Sequence, residues 1–171
     1  MQIDTPRLHL RRARPDDVDP LHDVMSSAQA MRYWSTPPHA NREATAAWFP
    51  KEFPSHADQW IIEHQGRVIG YIGMWAPPEF GFILHPDAWG QGLGFEAAAA
   101  YLDHAVATHD IEAVTADVDP RNAASLKLLI KLGFVETHRA EKTFEINGVW
   151  VDSVYLALPR SSWRGGRASA P

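Results

Sequence analysis

Phe80-Gly-Phe-Ile-Leu-His-Pro-Asp-Ala-Trp-Gly-Gln-Gly-Leu-Gly-Phe-Glu-Ala97 changes its pattern twice in one short run. Its opening apolar residues read as a buried strand, and His85-Pro86-Asp87 ends that strand, because proline cannot continue a central ladder. Gly90, Gly92 and Gly94 then occupy alternate positions. Directly after them Phe95, Ala99, Leu102 and Val106 recur at the spacing of one helix face. The local order is strand, glycine loop, helix.

Such a junction is an anion cradle. Glycines permit positive φ and let a ligand approach the backbone closely. The unpaired amides of the helix's first turn, at the positive end of its dipole, then face the anion. The dinucleotide fingerprint requires glycine where Phe95 stands, and the Gly-Lys-Ser/Thr of a nucleotide-triphosphate loop is absent. The stretch does resemble the acyl-CoA signature of the GNAT superfamily of N-acyltransferases, Arg/Gln-x-x-Gly-x-Gly/Ala. Here it reads Trp89-Gly-Gln-Gly-Leu-Gly94, with Trp89 in the Arg/Gln position. That Trp and the following Phe-Glu-Ala resemble the ribosomal-protein-alanine acetyltransferase (Rim-type) branch.

Length and composition set the bounds. A chain of 171 residues fits one domain, and 45% apolar with 22% charged residues describes an ordinary globule. No run approaches the ~18 apolar residues of a membrane span, and the first residues lack a signal peptide's apolar region. With no cysteine there is neither a disulfide framework nor a thiol nucleophile, which fits a cytoplasmic enzyme. A net charge of -5 argues against nucleic acid as the main partner.

From the N-terminus, Leu8 to Ala13 alternates as a strand. Pro15-Asp-Asp starts a helix whose apolar face is Val18, Leu21, Val24 and Met25. Asn41 caps a second helix carrying Ala44, Ala47 and Trp48. The aromatic and proline-rich loop between them holds Tyr33 and Trp34, which either wall an acceptor site or cap the core. Strands are expected at Gln59 to Glu63 and Arg67 to Trp75, turned at Gln65-Gly66, and at Glu79 to Leu84. After the glycine-loop helix come a strand, Ala113 to Val118, and a helix capped by Asn122 and stopped by Gly133. Phe134 to Thr137 begins another strand, and Asn147-Gly148 turns a hairpin between Lys142–Ile146 and Val149–Leu158. This succession implies an α/β (α+β) mixed sheet with helices on both faces. The GNAT resemblance makes that sheet mostly antiparallel and split at an acyl-CoA cleft. One domain is expected over 1–159, with a flexible tail over 160–171.

A second segment, Asp119-Pro-Arg-Asn-Ala-Ala-Ser-Leu-Lys-Leu-Leu-Ile-Lys-Leu-Gly-Phe134, resembles the GNAT pattern Asn-x-x-Ser followed by a leucine-rich helix and Leu-Gly-Phe. The resemblance implies acetyl-CoA as cofactor, with the amides of Gly90, Gln91, Gly92, Leu93 and Gly94 on its pyrophosphate beside Trp89. It implies that the strand edge Phe82, Ile83 and Leu84 pairs with pantetheine, an amide near Leu84 polarising the thioester. Asn122 would bond the pantetheine arm. Ser125 would meet the departing thiolate. An amine attacks the thioester directly, so no protein nucleophile is required. The amine must lose a proton, with Glu79, His85, Asp117 or water as the acceptor, Glu79 being preferred. Trp150 joins Tyr33 and Trp34 as a candidate substrate contact.

Nine histidines form no His-x-x-x-His; His104 and His109 are five apart on poorly aligned faces, so no metal is expected. No Gly-x-Ser-x-Gly elbow is present. The function expected is acetyl transfer to a primary amine, on a small molecule or a protein N-terminus, in a ternary complex. A non-catalytic acyl-CoA-binding module is the alternative. Monomer and homodimer both remain open.

Overall fold

The structure is a computed structural model and describes residues 2–54, 57–146 and 148–165. Five strands, β1 (Gln2–Asp4), β2 (Leu8–Arg11), β3 (Asp58–His64), β4 (Arg67–Met74) and β5 (Gly81–Leu84), form one antiparallel sheet in chain order. A second antiparallel sheet holds β6 (Ala113–Val118), β7 (Val135–Ile146) and β8 (Val149–Pro159), with β8 in the middle. The two sheets meet at a parallel bridge between Glu79 and Thr115. There Phe80 donates its amide to the Thr115 carbonyl at 2.8 Å, and Thr115 donates to Pro78 at 2.9 Å. Beyond that point β5 and β6 diverge, which is the expected split in a mostly antiparallel sheet.

Helices α1 (Val18–Met25) and α2 (Arg42–Glu52) cover one face of the five-stranded sheet; Leu21, Val24 and Met25 pack there with Ile61, Tyr71 and Ile83. Helix α3 (Leu93–Thr108) packs with the opposite set, Trp60, Ile62, Ile72 and Met74. Helix α4 (Ala123–Lys131) follows β6. Local chemistry explains the helix ends. Asn41 accepts from the Ala44 amide at 2.9 Å, and Asn122 from the Ser125 amide at 3.1 Å, each satisfying an orphan donor of a first turn. Gly133 ends α4 at φ 98°, and Gln65-Gly66 turns β3 into β4 with both φ positive.

Several expectations are corrected. Strand β2 stops at Arg11 because its guanidinium turns to the buried Asp17, at 2.6 and 2.8 Å, and to Glu63. The short, largely exposed β1 lacked an apolar signal. The two segments after Gly133 form one strand, β7, whose register slips twice against β8. Lys142, at φ 52°, absorbs the second slip, and its amide bonds Asp152 at 3.0 Å. In α3 the buried set is broader than the expected face: Ala99 and Leu102 are buried as expected, Ala97, Ala98, Tyr101 and Ala105 join them, and Phe95 and Val106 are half-buried. Small alanines let the helix lie close to the sheet. Of the expected hairpin turn, Gly148 has φ 80° and Asn147 lies outside the described residues. Of the expected tail, Arg160–Ser162 make a 3-10 turn, Trp163 donates to Asp103 at 2.8 Å, and residues from 166 onward are outside the description.

His104 and His109 do converge, because the chain leaves the helix between them. Both Nε2 atoms reach Asp58, at 3.2 and 2.8 Å. Trp60, Tyr101 and Arg12 also donate to this buried carboxylate. One of its oxygens and a ring nitrogen of each histidine lie within 4.8 Å of one another. Five donors to one carboxylate make it a hydrogen-bonded hub tying α3 to β3. Burial acts to raise its pKa, but the His109 and Trp60 hydrogen bonds outweigh it and hold Asp58 down at about 2.

Candidate active site

The divergence of β5 from β6 opens a cleft of about 1030 Å³. Which backbone groups face it follows from alternation along the strand. Phe80 donates toward β6 and His85 donates back to Ile69 of β4, so Phe82 and Leu84 share Phe80's outward side. Their amides therefore lie on an open strand edge. The Leu84 carbonyl is already taken by the Trp89 indole at 3.0 Å. On the facing wall Thr115 points at β5, and by the same alternation Asp117 offers its backbone to the cleft.

At the cleft's mouth the glycine loop delivers α3. Gly90 and Gly92 have φ 72° and 75°, and a side chain at Gly90 would meet nothing within 4 Å. Gly92 is the N-cap and has no capping side chain, so the first-turn amides stay unpaired by any cap. The loop is held from behind. Glu96 accepts from Thr5 at 2.6 Å and from Arg7 at 2.6 and 2.9 Å, while Arg7 also donates to the Gln91 carbonyl at 2.8 Å. Burial raises the Glu96 pKa, but these hydrogen bonds leave it lowered overall. Glu96 is thus more than a first-turn acid: it clamps the N-terminal segment onto the loop.

Most residues expected from sequence line this one cleft. Phe82, Ile83 and Leu84 form one wall, and Trp89, Gly90, Gly92, Leu93 and Gly94 form its mouth. Asn122 and Ser125 lie opposite, and Tyr33 and Trp34 close the far end. Trp34 also packs edge-on to Tyr71 at 6.0 Å, so it both walls the cleft and caps the core. Asn122 spends its Oδ1 on the helix cap, which leaves its amide nitrogen for a ligand. The Gln91 side chain donates to the Asp87 carbonyl at 2.7 Å, away from the cleft, so the role expected of Gln91 falls to its backbone amide alone. Trp150 is 54% exposed and does not line the cleft; Thr143, Phe144 and Tyr155 make that wall instead.

The candidate proton acceptors separate in the same way. Glu79 and Asp117 line the cleft, whereas His85 turns to Asp87 and does not. Partial burial in the cleft wall raises the Asp117 pKa, against hydrogen bonds from Ser153 and Tyr155. Among the lining residues not singled out from sequence are the polar or charged Glu52, Gln59, Tyr71, Lys127 and Lys131. The lysines lie on α4, and Lys131 sits 4.6 Å over the Phe95 ring.

An anion-binding helix start opening onto a strand edge, with a carboxylate-bearing cleft beyond, defines an acyl-carrier-dependent transferase. Residues 7–135 match the family described as Acetyltransferase (GNAT) domain, and the chain belongs to that family, whose members use acetyl-CoA. It is 23% identical over 163 residues to spermidine N(1)-acetyltransferase of Escherichia coli K12, covering 90% of this chain and 88% of the relative. The [ribosomal protein uS5]-alanine N-acetyltransferase of the same strain is 37% identical over 87 residues, 51% of this chain and 45% of the relative. Among solved structures, spermidine N-acetyltransferase from Vibrio cholerae, in complex with CoA and spermine, superposes with TM-score 0.80 at 21% identity, covering 92% of this chain and 98% of that one.

Proposed function

We propose that this chain transfers the acetyl group of acetyl-CoA to a primary amine, on a small molecule or a protein N-terminus, by direct attack in a ternary complex. The observation that carries it is the free edge of β5 running from the unpaired amides of α3 into a cleft with carboxylates. The two relatives are named for spermidine and for a ribosomal-protein alanine, both of which carry primary amines. No helix among the described residues is long and apolar enough to cross a membrane, and this reading takes the enzyme to work in the cytoplasm.

Acetyl-CoA supplies an activated thioester carbonyl; the rest falls to this chain's own groups. First-turn amides of α3 and its dipole bind the diphosphate, with Lys127 and Lys131 adding positive charge on α4. Phe82 and Leu84 amides fix the pantetheine arm, and the Leu84 amide faces the charge that develops on the carbonyl oxygen. Ser125 donates to the departing sulfur. The amine's proton goes to Glu79; Asp117 is the second candidate, on the strength of its raised pKa.

The test couples titration calorimetry of CoA binding with a thiol-release assay over polyamines, amino acids and N-terminal peptides. Binding with turnover of at least one amine supports the reading. Tight CoA binding without turnover of any amine would make the chain a binding module.

A further inference from the structure

Across β3, β4 and β5, Gln59, Gly73 and Gly81 sit side by side. They belong to the face that carries Ile61, Tyr71 and Ile83, so two adjacent glycines leave a hollow in that face. The sheet itself requires Gly73: φ is 151°, and a Cβ would stand 2.1 Å from the Asp58 carbonyl oxygen. No such requirement applies at Gly81. Its φ is outside the left-handed region, and a Cβ there would meet nothing within 4 Å. The space over Gly81 is part of the cleft.

The walls of this hollow carry unspent polar atoms. Gln59 is 7% exposed, and its Nε2 donates to Glu52 Oε1 at 2.8 Å. A carboxylate only accepts, so that bond fixes the amide's orientation. Gln59 Oε1 is then left buried with no donor. Tyr71 is 2% exposed, and its hydroxyl makes no hydrogen bond of standard geometry, with the Glu52 carboxylate as its polar neighbour. Burial, and then the nearby Glu52 carboxylate, push its pKa well up. Unpaired buried polar atoms are rare in folded proteins and call for an explanation. Here the set is an amide oxygen, a carboxylate and a phenol oxygen, all able to accept, beside the Trp34 ring. The complement is a positive group rich in N–H donors, which an alkylammonium is.

An ammonium with all three protons engaged has no lone pair with which to attack a thioester. We propose that this recess holds a second, non-reacting protonated nitrogen of the acceptor, gripped by Gln59 Oε1, Glu52 and Tyr71, with Gly81 setting the room available. The enzyme's acceptors are then cations bearing two amines. This rests on the acetyltransferase reading above.

The test compares 1,5-diaminopentane with pentylamine as acceptors in the thiol-release assay, alongside CoA titration and thermal melts. The wild-type enzyme is expected to favour the diamine in kcat/KM by about tenfold or more, the worth of a lost charged hydrogen bond. Glu52→Gln and Gln59→Leu should each cut that ratio toward one, mainly through the diamine's KM, while CoA affinity holds. Gly81→Leu should do the same by filling the space. Equal use of both amines by the wild type, or equal losses on both in the variants, would overturn the proposal. Absence of thiol release with every amine would instead sink the acetyltransferase reading on which it stands.

Discussion

Replacing Asp58 by asparagine tests whether one buried carboxylate holds α3, and with it the glycine loop, against β3. Its pKa lies at about 2, below the ordinary 3.8. A folded-state pKa below the unfolded one adds stability that is complete above the unfolded value and is lost as pH falls through the folded value. The contribution is therefore full above about pH 4 and gone by about pH 2. At roughly 1.36 kcal/mol per unit, it amounts to about 2 kcal/mol. Asparagine at this position retains the shape but not the charge, so at pH 7 the variant should be less stable by about 2–3 kcal/mol, the cost of weakening hydrogen bonds to a charged group. Urea melts of both proteins at pH 6, 4, 3 and 2 follow the difference, and subtraction removes the titrating groups that do not touch Asp58. The gap should stay constant down to about pH 4 and then shrink by about 2 kcal/mol. A gap independent of pH across that window would refute the hub.

Three further perturbations have defined outcomes. Gly92→Ala should weaken CoA binding and also destabilise the fold by about 1–2 kcal/mol, since φ is 75° and a Cβ is disfavoured there; calorimetry and urea melts check the two effects. Asp17→Ala removes one of the two carboxylates on the buried Arg11 guanidinium and leaves it Glu63 alone, so it should cost about 2–3 kcal/mol in urea denaturation, the worth of hydrogen bonds to a charged group. Glu79→Gln should lower kcat by about 10²-fold with CoA affinity unchanged; a larger loss in Asp117→Asn would transfer the proton acceptor's role to Asp117.

What could be read from sequence was whatever is encoded within a few neighbouring residues. Asparagine caps, the glycine loop and the stop at Gly133 depend on local backbone chemistry, and each stands where its residues predict. The clustering of Ser125, Glu79 and Phe82–Leu84 in one cleft came through two motifs whose order matches a family. Illegible features depend on register and helix placement. Glu52 and Gln59 meet only because α2 ends over β3, and the hollow above Gly81 exists only because β3, β4 and β5 align their glycines. Asp58 gathers His104 and His109 through a chain reversal that a helical wheel extended past Thr108 cannot show. Trp150 misses the cleft because it is exposed beside the buried Val151 on β8, and Thr143 and Phe144 of β7 line the cleft instead. The backbone strain that a side chain at Gly92 would meet is equally hidden, since a positive φ is not visible as such in a glycine-rich run.

Amide hydrogen exchange with and without CoA addresses the β5 edge most directly. The account predicts that CoA slows exchange at Phe82, Leu84 and the first-turn amides of α3, and leaves Gly81 and Ile83, already bonded to β4, nearly unaffected. Protection that skipped Phe82 and Leu84, or that appeared instead on the β4-facing amides, would contradict it.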